Sequence, residues 1–151
     1  MDNWDIRFMR IAREVATWSK DPSTQVGAIM VRDRRVIATG YNGFPQGMAD
    51  DDRLNGKEEK YARIIHAEMN ALMNALKFGV SSEGATLYCY GLPVCSNCMK
   101  AIIQAGVRRV VIIDPDGAAE RWRLSWLLES KGMLDECGVE YEYLTKEQLD
   151  G

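Results

Sequence analysis

Apolar residues recur at helical spacing from the beginning of the chain. Trp4, Phe8, Ile11, Val15 and Trp18 fall on one side of "WDIRFMRIAREVATWSK" and predict an amphipathic first helix, which "DPST" stops. The period then changes. "QVGAIMVRDRRVIATGYNG" carries two runs rich in β-branched residues on either side of a polar turn at 32–35, the pattern of a hairpin. The polar stretch over 41–60 is dense in turn formers and predicts a long loop, which inside a compact domain is usually a binding loop or disordered. "YARIIHAEMNALMNALKFG" returns to helical spacing and ends at Gly79.

"ATLYCYGL" reads as a strand and "CSNCMKAIIQAG" as a helix closed by Gly106. "VRRVVIID" reads as a strand whose unbroken apolar half predicts burial on both faces. "RWRLSWLLESKGML" predicts a further helix and "GVEYEYL" a last short strand. With no repeat and no linker, the expectation is one domain over residues 1–151. Alternating strands and helices imply an α/β sandwich whose sheet is partly parallel, with the hairpin antiparallel.

Composition narrows the partners. A chain of 151 residues, 46% apolar and 27% charged, can fill one core. A formal net charge of −3 leaves no basic excess for a phosphate backbone, so a free small molecule is expected and nucleic acid is not. The opening "MDNWDIRFMR" is charged where a secretion signal would be apolar, and no stretch approaches membrane-spanning length. The reading is therefore cytoplasmic, with no membrane partner, and there clustered thiols point to metal or catalysis before disulfides.

Two of the four cysteines, Cys95 and Cys98, stand three apart at the mouth of a helical run, in "GLPVCSNCMKAIIQAG". They share a face, and the positive end of the helix dipole favours their thiolates. Alone, the pair fits zinc, redox chemistry or packing. The single histidine, His66, lies two residues before Glu68 in "IIHAEMNAL", at the expected first turn of its helix; alone, it reads as a structural residue beside an apolar helix. Together the three count to the protein ligands of a catalytic zinc, whose fourth position is kept for water. Glu68 then gains a role, since a carboxylate beside such a water can take its proton and pass it on. Residues two apart diverge in mid-helix, so His66 and Glu68 can converge only near a helix end. Cys89 and Cys137 read as small buried apolar residues.

At these residues the chain resembles the zinc-dependent cytidine and deoxycytidylate deaminases, whose signature pairs His-x-Glu with Pro-Cys-x-x-Cys and a glutamate that is not a ligand. The likeness is greater to the deoxycytidylate (dCMP) deaminases, through "DPSTQVGAIMV", "GYNGFPQG", "HAEMNAL" and "CSNCMKAIIQAGVRRVV", and it weakens beyond Asp114. The resemblance implies a three-layer α/β/α sandwich around a mixed five-stranded sheet. It implies Zn2+ held by His66, Cys95 and Cys98, with Glu68 protonating N3 of the pyrimidine and then the leaving amine as water attacks C4. Asn42 would bond the sugar, and backbone around Val26 and Ala67 would hold the base. From its own residues, Asn42 could equally be a turn former. The implied activity is dCMP to dUMP with release of ammonia, in a homo-oligomer. CMP, dCTP, cytidine or another aminated base are the alternatives, followed by a polynucleotide-editing deaminase or a non-catalytic zinc module.

Three departures bear on this. Val94 separates Pro93 from Cys95, which is either a bulge that leaves the ligands in place or a change in the pocket above the base. Tyr90 and Leu92 could line that pocket or pack in the core. With one histidine in the chain, a second, structural zinc site of the kind some dCMP deaminases carry is not expected. Trp122 and Trp126, four apart with Arg121 and Arg123 beside them, read as the buried face of a covering helix in preference to a nucleotide lid. For a phosphate the candidates are Ser23, Thr24 and Gln25 before the first strand and Arg53 and Lys57 in the long loop, where "DDD" at 50–52 would repel a triphosphate more than a monophosphate.

Overall fold

The computed structural model describes residues 3–151, so the first two residues of the charged amino-terminal stretch lie outside it. β1 (Gly27–Arg32) and β2 (Arg35–Tyr41) form the expected antiparallel hairpin. Asp33 and Arg34 both take positive φ, 53° and 60°, the turn whose twist matches the flanking strands. β3 (Thr86–Tyr90) pairs antiparallel with β1, and β4 (Arg109–Ile113) and β5 (Glu140–Leu144) then add in parallel. The result is a mixed five-stranded sheet in the order β2-β1-β3-β4-β5.

Alternation within the strands divides the core in two. Ala28 and Met30 of β1, with Val110 and Ile112 of β4, belong to one apolar cluster; Ile29, Val31 and Val111 belong to the other. The first cluster packs under α3 (Ala67–Lys77), α4 (Ser96–Gln104) and the helical segment that begins with α5 (Glu120–Ser125) and ends with α6 (Lys131–Cys137). The second packs under α1 (Asn3–Ala16) and α7 (Lys146–Asp150), a helix the pattern did not predict. Three layers follow, and β4 is buried on both faces as its apolar run requires.

Two helices lie unusually close to the sheet. A Cβ on Gly40 of β2 would run into the Ala67 carbonyl and the Ala71 amide of α3, and one on Gly27 of β1 would meet α1 at Ala12 and Ala16. The facing stripe of α3 is Ala67, Ala71 and Ala75, all buried. Small side chains and a glycine thus set the depth of α3, whose first turn carries Glu68.

Three expectations are corrected. α1 buries Asp5, Phe8, Met9, Ala12, Val15 and Ala16 and ends at Ala16, leaving Ile11 and Trp18 exposed, so its inner face is rotated from the predicted stripe. The close approach at Gly27 is what brings Ala12 and Ala16 inward. The 41–60 stretch is not all loop: a 3-10 turn at Asp52–Leu54 is followed by α2 (Lys57–Arg63). The helical run over 61–79 is broken at 64–66, where Ile64 turns extended and Ile65 exchanges both backbone hydrogen bonds with Gly43, at 3.1 and 2.8 Å.

Candidate functional site

The break at 64–66 is what builds the site. It makes His66 the N-cap of α3, in extended conformation, with Glu68 in the first turn. In the same way Cys95 caps α4 and Cys98 lies in its first turn. Two helix N-termini converge, and the convergence of His66 and Glu68 occurs at a helix end, where it has to. The His66 Nδ1 stands 3.4 Å from each of the Cys95 and Cys98 sulfurs. All three donor atoms lie within 4.8 Å of one another.

This donor set fits zinc. Bonds of ordinary Zn–N and Zn–S length in a tetrahedron ask for about 3.5 Å between a nitrogen and a sulfur ligand, and one imidazole with two thiols is a zinc-type set. One of the two thiols is already disposed to charge: a hydrogen bond from Cys98, with His66 beside it, lowers the Cys95 thiol despite its burial, while that same bond and burial raise the Cys98 thiol. The Cys95 thiolate in turn raises the His66 imidazole against desolvation. Val94 therefore leaves the ligands together. It is itself wholly buried in the core under α4.

Glu68 is buried, and burial raises its carboxyl above the usual range. Its Oε1 accepts a hydrogen bond from the Cys89 thiol at 3.0 Å. Cys89 is thus buried as expected, and it also touches the candidate catalytic carboxylate. Cys137 is the correction: it is exposed at the end of α6, just before the left-handed Gly138.

A cavity of about 480 Å³ opens onto His66, Glu68 and Cys95, within the size range of small-molecule sites. Its wall includes Val26, Asn42 and Ala67, the residues expected to hold sugar and base. Asn42 is already heavily engaged. Its Oδ1 accepts from the Val26 amide at 2.9 Å, and its Nδ2 donates to the Thr24 carbonyl at 2.9 Å and to Asp21 at 3.3 Å. It ties the approach to β1 to the end of β2. The Val26 carbonyl also accepts from the Asn42 backbone amide, so both backbone polar groups of Val26 are engaged with Asn42.

Of the phosphate candidates, Ser23 and Thr24 line the cavity. Gln25 instead bonds the Ser19 carbonyl, and Arg53 pairs with Asp51. The cations that do line it are Lys60 and Arg121. Lys60 reaches Asp21 at 3.2 Å and the Ser23 hydroxyl at 2.8 Å. The Arg121 guanidinium lies 4.4 Å from the Trp122 ring and 5.4 Å from that of Tyr61. Lys60 falls in the stretch expected to be loop, and Arg121 stands beside Trp122 in the helix expected to cover the sheet; tertiary packing brings both to the cavity. The two tryptophans part company: Trp126 is core, whereas Trp122 faces the cavity. Leu92 lines the cavity, while Tyr90 packs against the cluster under α1.

Residues 2–114 match the family described as the cytidine and deoxycytidylate deaminase zinc-binding region. The chain is 35% identical over 145 residues to an uncharacterized deaminase from the luxG 3' region of Aliivibrio fischeri, covering 95% of both chains. It is 36% identical over 147 residues to a probable deoxycytidylate deaminase of Caenorhabditis elegans, covering 94% of this chain and 70% of that one. Its fold resembles that of the dCMP deaminase of cyanophage S-TIM5, solved in complex with dCMP and dUMP: the TM-score is 0.74 at 28% identity, over 95% of this chain and 98% of that one. With a His-Cys-Cys donor set of zinc geometry beside a buried glutamate, and this match over most of its length, the chain belongs to the cytidine and deoxycytidylate deaminase family.

Proposed function

We propose that the protein, as one domain over residues 1–151, is a zinc-dependent deaminase that hydrolyses dCMP to dUMP and ammonia. The observation that carries this reading is that His66, Cys95 and the buried carboxylate of Glu68 open on one cavity, with Cys98 completing the donor set beside them. The likeness to relatives named for deoxycytidylate deamination, and to a structure holding dCMP and dUMP, supports the substrate.

His66, Cys95 and Cys98 hold the metal. Zinc, when bound, supplies a water acidified towards neutrality. Glu68 moves the protons: it delivers one to N3 of the pyrimidine and another to the amine leaving C4, which departs as ammonia while water's oxygen remains on C4. The Cys89 thiol holds the Glu68 carboxylate in place. Asn42, whose Nδ2 protons are already engaged, takes a sugar hydroxyl through the second lone pair of its Oδ1, Val26 lines the base pocket, and the Ala67 amide, free of an intrahelical partner at the first turn of α3, offers the base a donor. Lys60 and Arg121, with the hydroxyls of Ser23 and Thr24, receive the 5′-phosphate.

The free thiols suit a reducing cytoplasm, and no helix among the described residues is long and apolar enough to cross a membrane. Exposed Met73, Leu76 and Phe78 at and beyond the end of α3 support a homo-oligomer.

Steady-state comparison of substrates tests the reading. It predicts kcat/KM for dCMP about 100-fold or more above that for deoxycytidine, since two charge-assisted phosphate contacts are lost. Faster turnover of single-stranded DNA or of deoxycytidine would overturn the substrate.

A further inference from the structure

We propose that Ser130 is a positioning residue for the metal-ligand loop, a brace that the helical segment joining α5 to α6 supplies to Cys95. The inference rests on the zinc reading above. Val94 is the extra residue between Pro93 and Cys95, and its carbonyl belongs to the peptide that carries the Cys95 amide. Val94 is wholly buried, and a buried carbonyl needs a donor. The Ser130 hydroxyl donates to it at 2.8 Å, from a side chain that is itself 0% exposed.

The donor is delivered by an irregular piece of helix. Between α5 and α6 the helix widens into a π turn at Trp126–Ser130, closed by the Lys131 amide on the Trp126 carbonyl. Such turns are rare and concentrate at functional sites. Its neighbours explain where the turn sits. Trp126 and Leu134, either side of Ser130, are fully buried in the same cluster as Val94 and Cys98. A hydroxyl among such residues costs stability unless bonded, and its bond runs to the loop. The Trp126 indole is anchored independently, donating to the Tyr143 hydroxyl at 2.8 Å. The inserted residue of the loop and the widened turn of the helix therefore compensate each other. The brace also comes from outside the family match, which ends at residue 114.

The test is zinc retention. Purified zinc-loaded wild type, Ser130→Ala, Ser130→Thr and Tyr143→Phe are challenged with a chromogenic chelator at fixed pH, with thermal melts alongside. Removing an outer partner of a metal site typically weakens binding by 10- to 100-fold, so Ser130→Ala is expected to lose zinc at least about tenfold more readily. Ser130→Thr, which keeps the hydroxyl, retains it. Tyr143→Phe, which loosens the same helix without touching Val94, lowers the melting temperature but leaves zinc release unchanged. If Ser130→Ala does not fold, Ser130→Cys, a weaker donor of similar size, is predicted to fall between wild type and tenfold. Zinc release from Ser130→Ala, or from its Cys substitute, equal to wild type would overturn the brace alone, as would equal loss from Tyr143→Phe. A wild type that takes up no zinc would overturn the underlying reading with it.

Discussion

Glu68 works inside a small set of contacts that its own sequence neighbourhood does not supply. The Cys89 thiol reaches it across 21 residues of sequence from the middle of β3. A hydrogen bond to a charged group is worth about 1.5 kcal/mol or more, close to a factor of ten in rate if it acts in the transition state. Cys89→Val is therefore expected to lower kcat about tenfold with little change in KM, and Cys89→Ser to restore most of it, measured by steady-state kinetics on dCMP. An unchanged kcat in the valine variant would reduce Cys89 to packing. The thiol was legible only as a buried small residue, because a strand pattern shows which side a residue faces and not which helix end lies above it. The His-x-Glu and Cys-x-x-Cys pairs were legible because each is local: caps and first turns are fixed within four residues.

Elements were legible by period and less so by boundary. The hairpin, three further strands and most helices follow from alternation and helical spacing, and the burial of β4 follows from its apolar run. Residues 61–79 kept a helical period through Ile64 and Ile65, yet tertiary pairing with Gly43 breaks the helix there. A helix start at His66 was expected, but the tertiary pairing that makes the break and leaves His66 as a cap has no local signal. Seating α3 is the other hidden requirement. Gly40→Ala places a methyl against α3 backbone that cannot yield, and overpacking of this kind costs about 1–3 kcal/mol. The expected outcome is a lower melting temperature together with reduced kcat, since displacement of Glu68 by even about 1 Å costs about 100-fold in rate. A stable Gly40→Ala protein with full activity would show that α3 is not held by this contact.

Across the whole molecule, the layer under α1 is pinned by one polar network. Asp5 is buried and accepts from both nitrogens of Arg109, at 2.8 and 2.6 Å, and from the Tyr88 hydroxyl at 2.6 Å; Arg109 also meets Glu142 at 3.2 Å. Burial alone would raise the Asp5 carboxyl, but these donors outweigh it and hold it below its usual value. A lowered folded-state value stabilises the protein above the unfolded carboxylate range, at about pH 4, and that stabilisation is lost as pH falls further, through the folded value. Asp5→Asn is expected to destabilise the protein by about 3 kcal/mol at neutral pH and to flatten the pH dependence of its stability below about pH 4, measured by urea melts. An Asn variant as stable as wild type at pH 7 would contradict this.

The direct test of zinc-dependent dCMP deamination is ammonia released from dCMP by the purified, zinc-loaded protein, set against its Glu68→Gln variant. The wild type is expected to release ammonia with matching formation of dUMP, and the variant to release it at least about 1,000-fold more slowly. Equal release from both proteins, or none from a wild type holding a full equivalent of zinc, would contradict this mechanism.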